Sequence, residues 1–264
     1  MDEFTKHLVV CLITAYFVSD FVLKLEARQG KLKGLRLVLM QALIVAVLSY
    51  LLCGAWTLWL IPATVFVAYA VVHIIPFRRL KSNVASFIVE QTTSLVVIVA
   101  VAFAVAGWTA GVSLYWIELF GSDFAKGLVV IAGGIATIKV GGILIGMAIQ
   151  PFLDQLEEQK NQLEEQTHQL ENAVLVGTGA MRRGFATGGR VIGNLERALI
   201  FLFVLADQGA AIGFLVAAKS VFRFGELKEH ENRMEAEYII IGTLMSFGYG
   251  ILVSYATTYF MNLV

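Results

Sequence analysis

Residues 127–149 read GLVVIAGGIATIKVGGILIGMAI, an apolar run in which Lys139 is the single ionisable side chain. Roughly 20 such residues in a helix cross the hydrocarbon core of a bilayer, so this stretch reads as a transmembrane helix. Six further runs share its character: 4–23, 35–53, 57–75 and 84–107 before it, 198–218 and 238–260 after it. The composition agrees. Of 264 residues, 58% are hydrophobic and only 15% charged, against about 45–50% and 25% in soluble domains, and mean hydropathy is +0.76. A soluble globule of this size would lack the polar surface to cover itself. The expected fold is all-α, a polytopic helical membrane protein with about seven transmembrane helices. It divides into a five-helix transmembrane bundle over 1–150, a cytoplasmic heptad helix with a Gly/Arg-rich hinge over 151–193, and a C-terminal transmembrane pair over 194–264.

Run 4–23 has no basic region before it and is followed by the cationic stretch from Lys24 to Lys31 instead of a small-residue cleavage site. It is therefore read as the first span and not as a signal peptide. Lys24, Arg28, Lys31, Lys33 and Arg36 fill the first loop and Arg78, Arg79 and Lys81 the third, whereas the second loop has no charge and the fourth has Lys126 as its only base. Basic loops stay in the cytoplasm. All four tryptophans, Trp56, Trp59, Trp108 and Trp116, then fall at the opposite face, where amphipathic rings suit the headgroup layer. This places the N-terminus outside and the segment after Ile149 inside. With 20 basic and 20 acidic residues no global field favours nucleic acid. Cys11 and Cys53 lie inside apolar runs and read as packing residues.

After Ile149 the heptad Gln155-Leu156-Glu157-Glu158-Gln159-Lys160-Asn161 is followed by Gln162-Leu163-Glu164-Glu165-Gln166-Thr167-His168, with Leu156, Leu163 and Leu170 in register. That is a coiled-coil signature. Its companion seam, Leu153, Lys160 and Thr167, is mostly polar, so two readings stay open: a solvated helix prolonging the fifth span, or a weak zipper aided by membrane tethering. The glycine-rich stretch 177–193, with Arg182, Arg183 and Arg190, reads as a hinge near anionic lipid heads. It is not a phosphate loop, since no strand precedes it and the Gly-Lys-Ser/Thr ending is missing.

Ionisable groups at membrane depth are costly and mark either pairing or function. Lys139 and Asp207 lie near the middles of the fifth and sixth runs, and are expected to face protein and pair, or to reach a wet cavity. Asp20, Gln41, His73, Glu90 and Gln91 come from four consecutive helices. Antiparallel packing puts them at one depth, as a polar lock or as a site for a cation. Their donor types do not suit a zinc site, and no metal or other cofactor is expected. Gly242, Ser246, Gly250 and Ser254 form a small-residue ridge in the seventh run, and Gly133, Gly141, Gly142 and Gly146 form stripes in the fifth, both devices for close helix approach. No nucleophile arrangement, paired cysteine motif or dinucleotide loop is present.

Asp20-Phe21, His73 and Gln91, with Gly193-Asn194-Leu195-Glu196-Arg197, Ala218-Lys219-Ser220, Arg223-Phe224-Gly225-Glu226-Leu227 and Glu237-Tyr238 before Gly242-Thr243-Leu244, resemble a family of bacterial membrane proteins catalogued as domain of unknown function 3307. In that family the first helix carries His-x-x-x-Asp-Phe-x-x-Gln, the second a His, the third His-x-x-x-Asp and the fourth Asp-Gln-x-x-His. Here Tyr16, Gln41 and Ser94 stand where the family has histidine, Phe77 where it has aspartate, Lys24 where it has glutamine, and Glu90 replaces the aspartate before Gln91. The resemblance implies fold and location; the departures remove the histidine and aspartate set on which metal or hydrolytic chemistry would rest.

The expected function is that of a non-enzymatic membrane protein that forms a homo-oligomer and acts as a scaffold or effector in the lipid bilayer, with Leu156, Leu163 and Leu170 contributing and a cytoplasmic protein as partner. Two other classes remain: a channel or transporter using Lys139, Asp207 and the Asp20 cluster, and an intramembrane metal-dependent enzyme. Seven crossings put the C-terminus inside. The basic load of Lys219, Arg223, Lys228 and Arg233 conflicts with that parity unless Asp207-Gln208-Gly209 turns residues 195–222 into a re-entrant hairpin.

Overall fold

The structure is a computed structural model that describes residues 2–23, 31–74, 83–108, 114–171, 188–227 and 233–264, and among these residues it is helical with no strand. Five helical stretches are long and apolar enough to cross a membrane: Glu3–Val22, Leu35–Cys53, Val84–Trp108, Ser122–Gln159 and Ile239–Leu263. Leu60–Ile74 and Gly209–Val221 are shorter apolar helices. By contact the chain falls into two compact units, Met1–Val140 with Val253–Val264, and Gly141–Leu252. The last turns of the chain thus pack with the first bundle, a grouping that the linear three-part division does not contain.

In the first unit, α1 (Glu3–Phe17) is central and packs against α2 (Lys31–Cys53), α4 (Val84–Trp108) and α6 (Ser122–Ile135), while α3 (Leu60–Ile74) closes on α2 and α4. Leu8, Leu12, Tyr16, Val45 and Ile61 form the dry interior. Large aliphatics face outward, with Val96 62% and Val67 58% exposed, a pattern that suits hydrocarbon as the solvent. Hydroxyls are silenced locally: Thr14 donates to the Val10 carbonyl at 2.8 Å, Ser49 to Val45 at 2.7 Å and Thr137 to Gly133 at 2.8 Å. Two π-helical turns interrupt the regular spacing, Val18–Val22 after α1 and Ala136–Val140 after α6. They carry Asp20 and Lys139.

The turn from α2 to α3 uses Gly54 at φ +62°, where an L side chain is strained and a Cβ would come within 2.8 Å of Trp116. Trp116, on the short helix α5 (Tyr115–Phe120), donates from its indole nitrogen to the Leu51 carbonyl at 2.7 Å. It therefore joins Trp56 and Trp59 at that end. Lys6 Nζ donates to the Leu263 carbonyl at 3.1 Å, setting the start of α1 beside the end of α10 (Arg233–Leu263).

In the second unit, α7 (Gly141–Glu171) runs on for 31 residues, with Pro151 inside it. Gln150, Asp154, Gln155, Glu157, Glu158 and Gln159 are exposed, as is Leu153. The side chains of Leu156, Leu163 and Leu170 lie outside the described residues, as does most of the Gly/Arg-rich stretch. Run 198–218 is not one helix. It is broken into α8 (Gly188–Leu205) and α9 (Gly209–Leu227) by a turn at Ala206–Gln208. Asp207 takes φ +54°, its N–H donates to the Val204 carbonyl at 3.1 Å, and the Gln208 N–H donates to the Phe203 carbonyl at 2.8 Å. These are the two bonds of a Schellman cap, with aspartate where glycine is usual.

Candidate functional site

The polar residues of the first bundle meet as the antiparallel packing of α1 to α4 requires. Asp20, 5% exposed, accepts a hydrogen bond on Oδ1 from the Tyr69 hydroxyl at 3.0 Å. Gln41 donates from Nε2 to the Ser19 carbonyl at 2.7 Å and to Ser19 Oγ at 2.8 Å. Tyr16, fully buried, donates to Gln91 Oε1 at 2.7 Å. His73 stacks on Tyr69, with ring centroids 4.0 Å apart and planes 11° apart, and its Nδ1–H donates to the Tyr69 carbonyl at 3.0 Å. A carbonyl can only accept, so the proton sits on Nδ1. Nε2 then faces Glu90 Oε1 at 3.9 Å, at the exposed edge of the cluster.

Three helix-to-helix ties result: Gln41 of α2 to Ser19, Tyr69 of α3 to Asp20, and Gln91 of α4 to Tyr16. Little open space is left. Beside Tyr69, His73 and Ser94 the cavity amounts to about 10 Å³, room for one water at most. Among the described residues no three His, Cys, Asp or Glu side chains assemble as a metal-holding group. Asp20 has no Lys or Arg within 4.0 Å among them either, so the Tyr69 hydroxyl is its anchor. Tyr69→Phe is expected to cost about 1–3 kcal/mol, because it strips a buried carboxyl of its donor. Adding Asp20→Asn should recover part of that loss in a reversible unfolding titration in detergent. Strictly additive losses would break the link.

Tyr69 and Ser19 were not singled out from the sequence. Both carry a local signal, since Tyr69 precedes His73 by one turn and Ser19 adjoins Asp20. The two midplane charges behave differently from the cluster. Lys139 is exposed in its π turn, Asp207 is exposed at the hairpin turn, and neither makes an ion pair among the described residues.

A second polar set lies on the α8–α9 hairpin. Lys219 on α9 pairs with Glu196 Oε2 on α8, and its ammonium lies 5.3 Å from the Phe247 ring centroid. Arg197, 3% exposed, donates from Nη1 to Ser246 Oγ and from Nη2 to Asn194 Oδ1, both at 2.8 Å, while its Nε finds no acceptor. Small residues give this guanidinium its space. A Cβ on Gly141 would meet Tyr249 Cε1 at 2.6 Å and Arg197 Cδ at 3.2 Å, one on Gly142 would meet Arg197 Nη2 at 3.1 Å, and one on Gly250 would meet Arg197 Cγ at 3.6 Å. Gly242 abuts Ile149, Gly133 abuts Thr257, and Ser254 is fully buried, whereas Gly146 has open space around its Cα. The chain matches no family model, and no curated protein or solved structure matches it significantly. The family likeness therefore rests on the quoted residues alone.

Proposed function

We propose that this chain is a non-enzymatic multi-span protein of the bacterial inner membrane that self-associates and acts as a scaffold or membrane effector. The observation that carries this reading is the internal use of its polar residues. Tyr69 is engaged with Asp20, Gln91 with Tyr16 and Gln41 with Ser19, across four helices, and the cavity beside Tyr69 is about 10 Å³. Such a closed network rigidifies a bundle; a transport path or a reaction centre needs access and free polar groups. The long α7, exposed at Asp154, Gln155, Glu157, Glu158 and Gln159, supplies an arm for a second copy or a cytoplasmic partner. At 1.5 Å per residue its 31 residues reach about 46 Å, more than the roughly 30 Å hydrocarbon core.

The decisive experiment is mass in a gentle detergent, with Leu156, Leu163 and Leu170 replaced together by serine. The unaltered chain should run as an oligomer and the triple variant with a smaller oligomer fraction, while membrane insertion is unchanged. A monomer in both cases overturns the reading. A second reading, a channel or transporter, is favoured by the buried Arg197 with its unsatisfied Nε. Ion flux through proteoliposomes that Arg197→Gln abolishes would establish it in place of the first.

A further inference from the structure

In the first unit a groove of about 540 Å³ runs between α1, α6 and the final turns of α10, reaching Leu95 of α4. Lys6 and Leu263 stand at one end; Phe17 and Val253 stand at the other. Its wall is almost wholly hydrocarbon. The two hydroxyls on it are engaged elsewhere, Thr14 with the carbonyls of Val10 at 2.8 Å and Leu128 at 3.2 Å, and Thr257 with that of Val253 at 2.8 Å. Water would find no partners along this wall.

Dimensions narrow the occupant. From Lys6 to Phe17 the helix rises about 16 Å at 1.5 Å per residue, close to half of a roughly 30 Å hydrocarbon core and so one leaflet deep. An apolar wall of that depth matches the acyl chains of one leaflet. Charge then selects the head. The Lys6 ammonium has three donors, spends one on the Leu263 carbonyl at 3.1 Å, and has no carboxylate within 4.0 Å among the described residues.

We infer that this groove holds an anionic phospholipid of the surrounding leaflet, its acyl chains against α1, α6 and α10 and its phosphate at Lys6. The full-length chain, delipidated in detergent, is incubated with phosphatidylglycerol or phosphatidylcholine of identical acyl chains, and bound lipid is counted by native mass spectrometry. One phosphatidylglycerol per chain is expected, held about fivefold more than phosphatidylcholine. Lys6→Gln, a surface change that spares the core, should erase that preference. Ala132→Trp, which fills the groove, should reduce retention of both lipids at least tenfold, with Val9→Trp as a second filling variant should the first not fold. Equal retention of the two lipids by the unaltered chain would overturn the inference, as would undiminished retention by a folded Trp variant. Displacement of phosphatidylglycerol by equimolar oleate would also overturn it, in favour of a free fatty acid.

Discussion

Glu196→Ala is expected to lower the unfolding free energy by about 2 kcal/mol or more, on the lower side of the roughly 3–5 kcal/mol seen when one partner of a fully buried ion pair is removed. Glu196 and Lys219 retain 12% and 15% of their side-chain exposure, which is why the lower side applies. The pair ties α8 to α9 about 11 residues from the turn on either side, so it is the clamp of the hairpin. Removing Lys219 as well, by Lys219→Leu, should bring the loss below that of Glu196→Ala alone, since no charge then faces the apolar end of Phe247 without its carboxylate. Equilibrium unfolding of the single and double variants in mixed detergent micelles measures this directly. Losses that simply add would mean that the two side chains do not act as a clamp.

The hairpin also shows where the sequence was and was not legible. Apolar length and its breaks located the helices well, because hydrophobic runs of membrane length have few other readings. The cluster of Asp20, Gln41, His73, Glu90 and Gln91 was legible too, since antiparallel connection fixes which ends share a depth. What stayed hidden was partner choice. That Asp20 would be anchored by Tyr69 and Gln41 by Ser19 depends on the rotation of each helix about its axis, and the two π turns alter that rotation locally. The glycine stripes were visible as places of close approach, but one of the groups they admit is the Arg197 guanidinium, and spacing alone does not reveal it. Run 198–218 reads as one span, with a hairpin at Asp207-Gln208-Gly209 as the alternative, because Ala206 and Gly209 pass as helix interior. The left-handed Asp207 that breaks it is a conformation few side chains adopt, and aspartate is among those few.

A reporter fused after Val264 should be active when exported and silent when it requires the cytoplasm. Lys6 and Leu263 meet at one end of the first bundle, so whichever side holds the start of α1 also holds the end of α10, and the number of crossings is even. With the basic loops at 24–36 and 78–81 in the cytoplasm, as the positive-inside bias predicts, the start of α1 is outside. The hairpin supplies the parity. From Glu196 to Asp207 the helix rises about 16 Å, enough to reach the middle of the hydrocarbon core and return without crossing; the turn at Asp207 is exposed, so such backbone requires that it line a wet cavity. Lys219, Arg223, Lys228 and Arg233 then stay on the cytoplasmic side with the other basic loops, which removes the conflict between charge and parity that a single sixth span creates. A second reporter placed at residue 230 should accordingly be active in the cytoplasm. Cytoplasmic activity after Val264 together with export at 230 would instead establish seven crossings, and Asp207 would then lie within a kinked span.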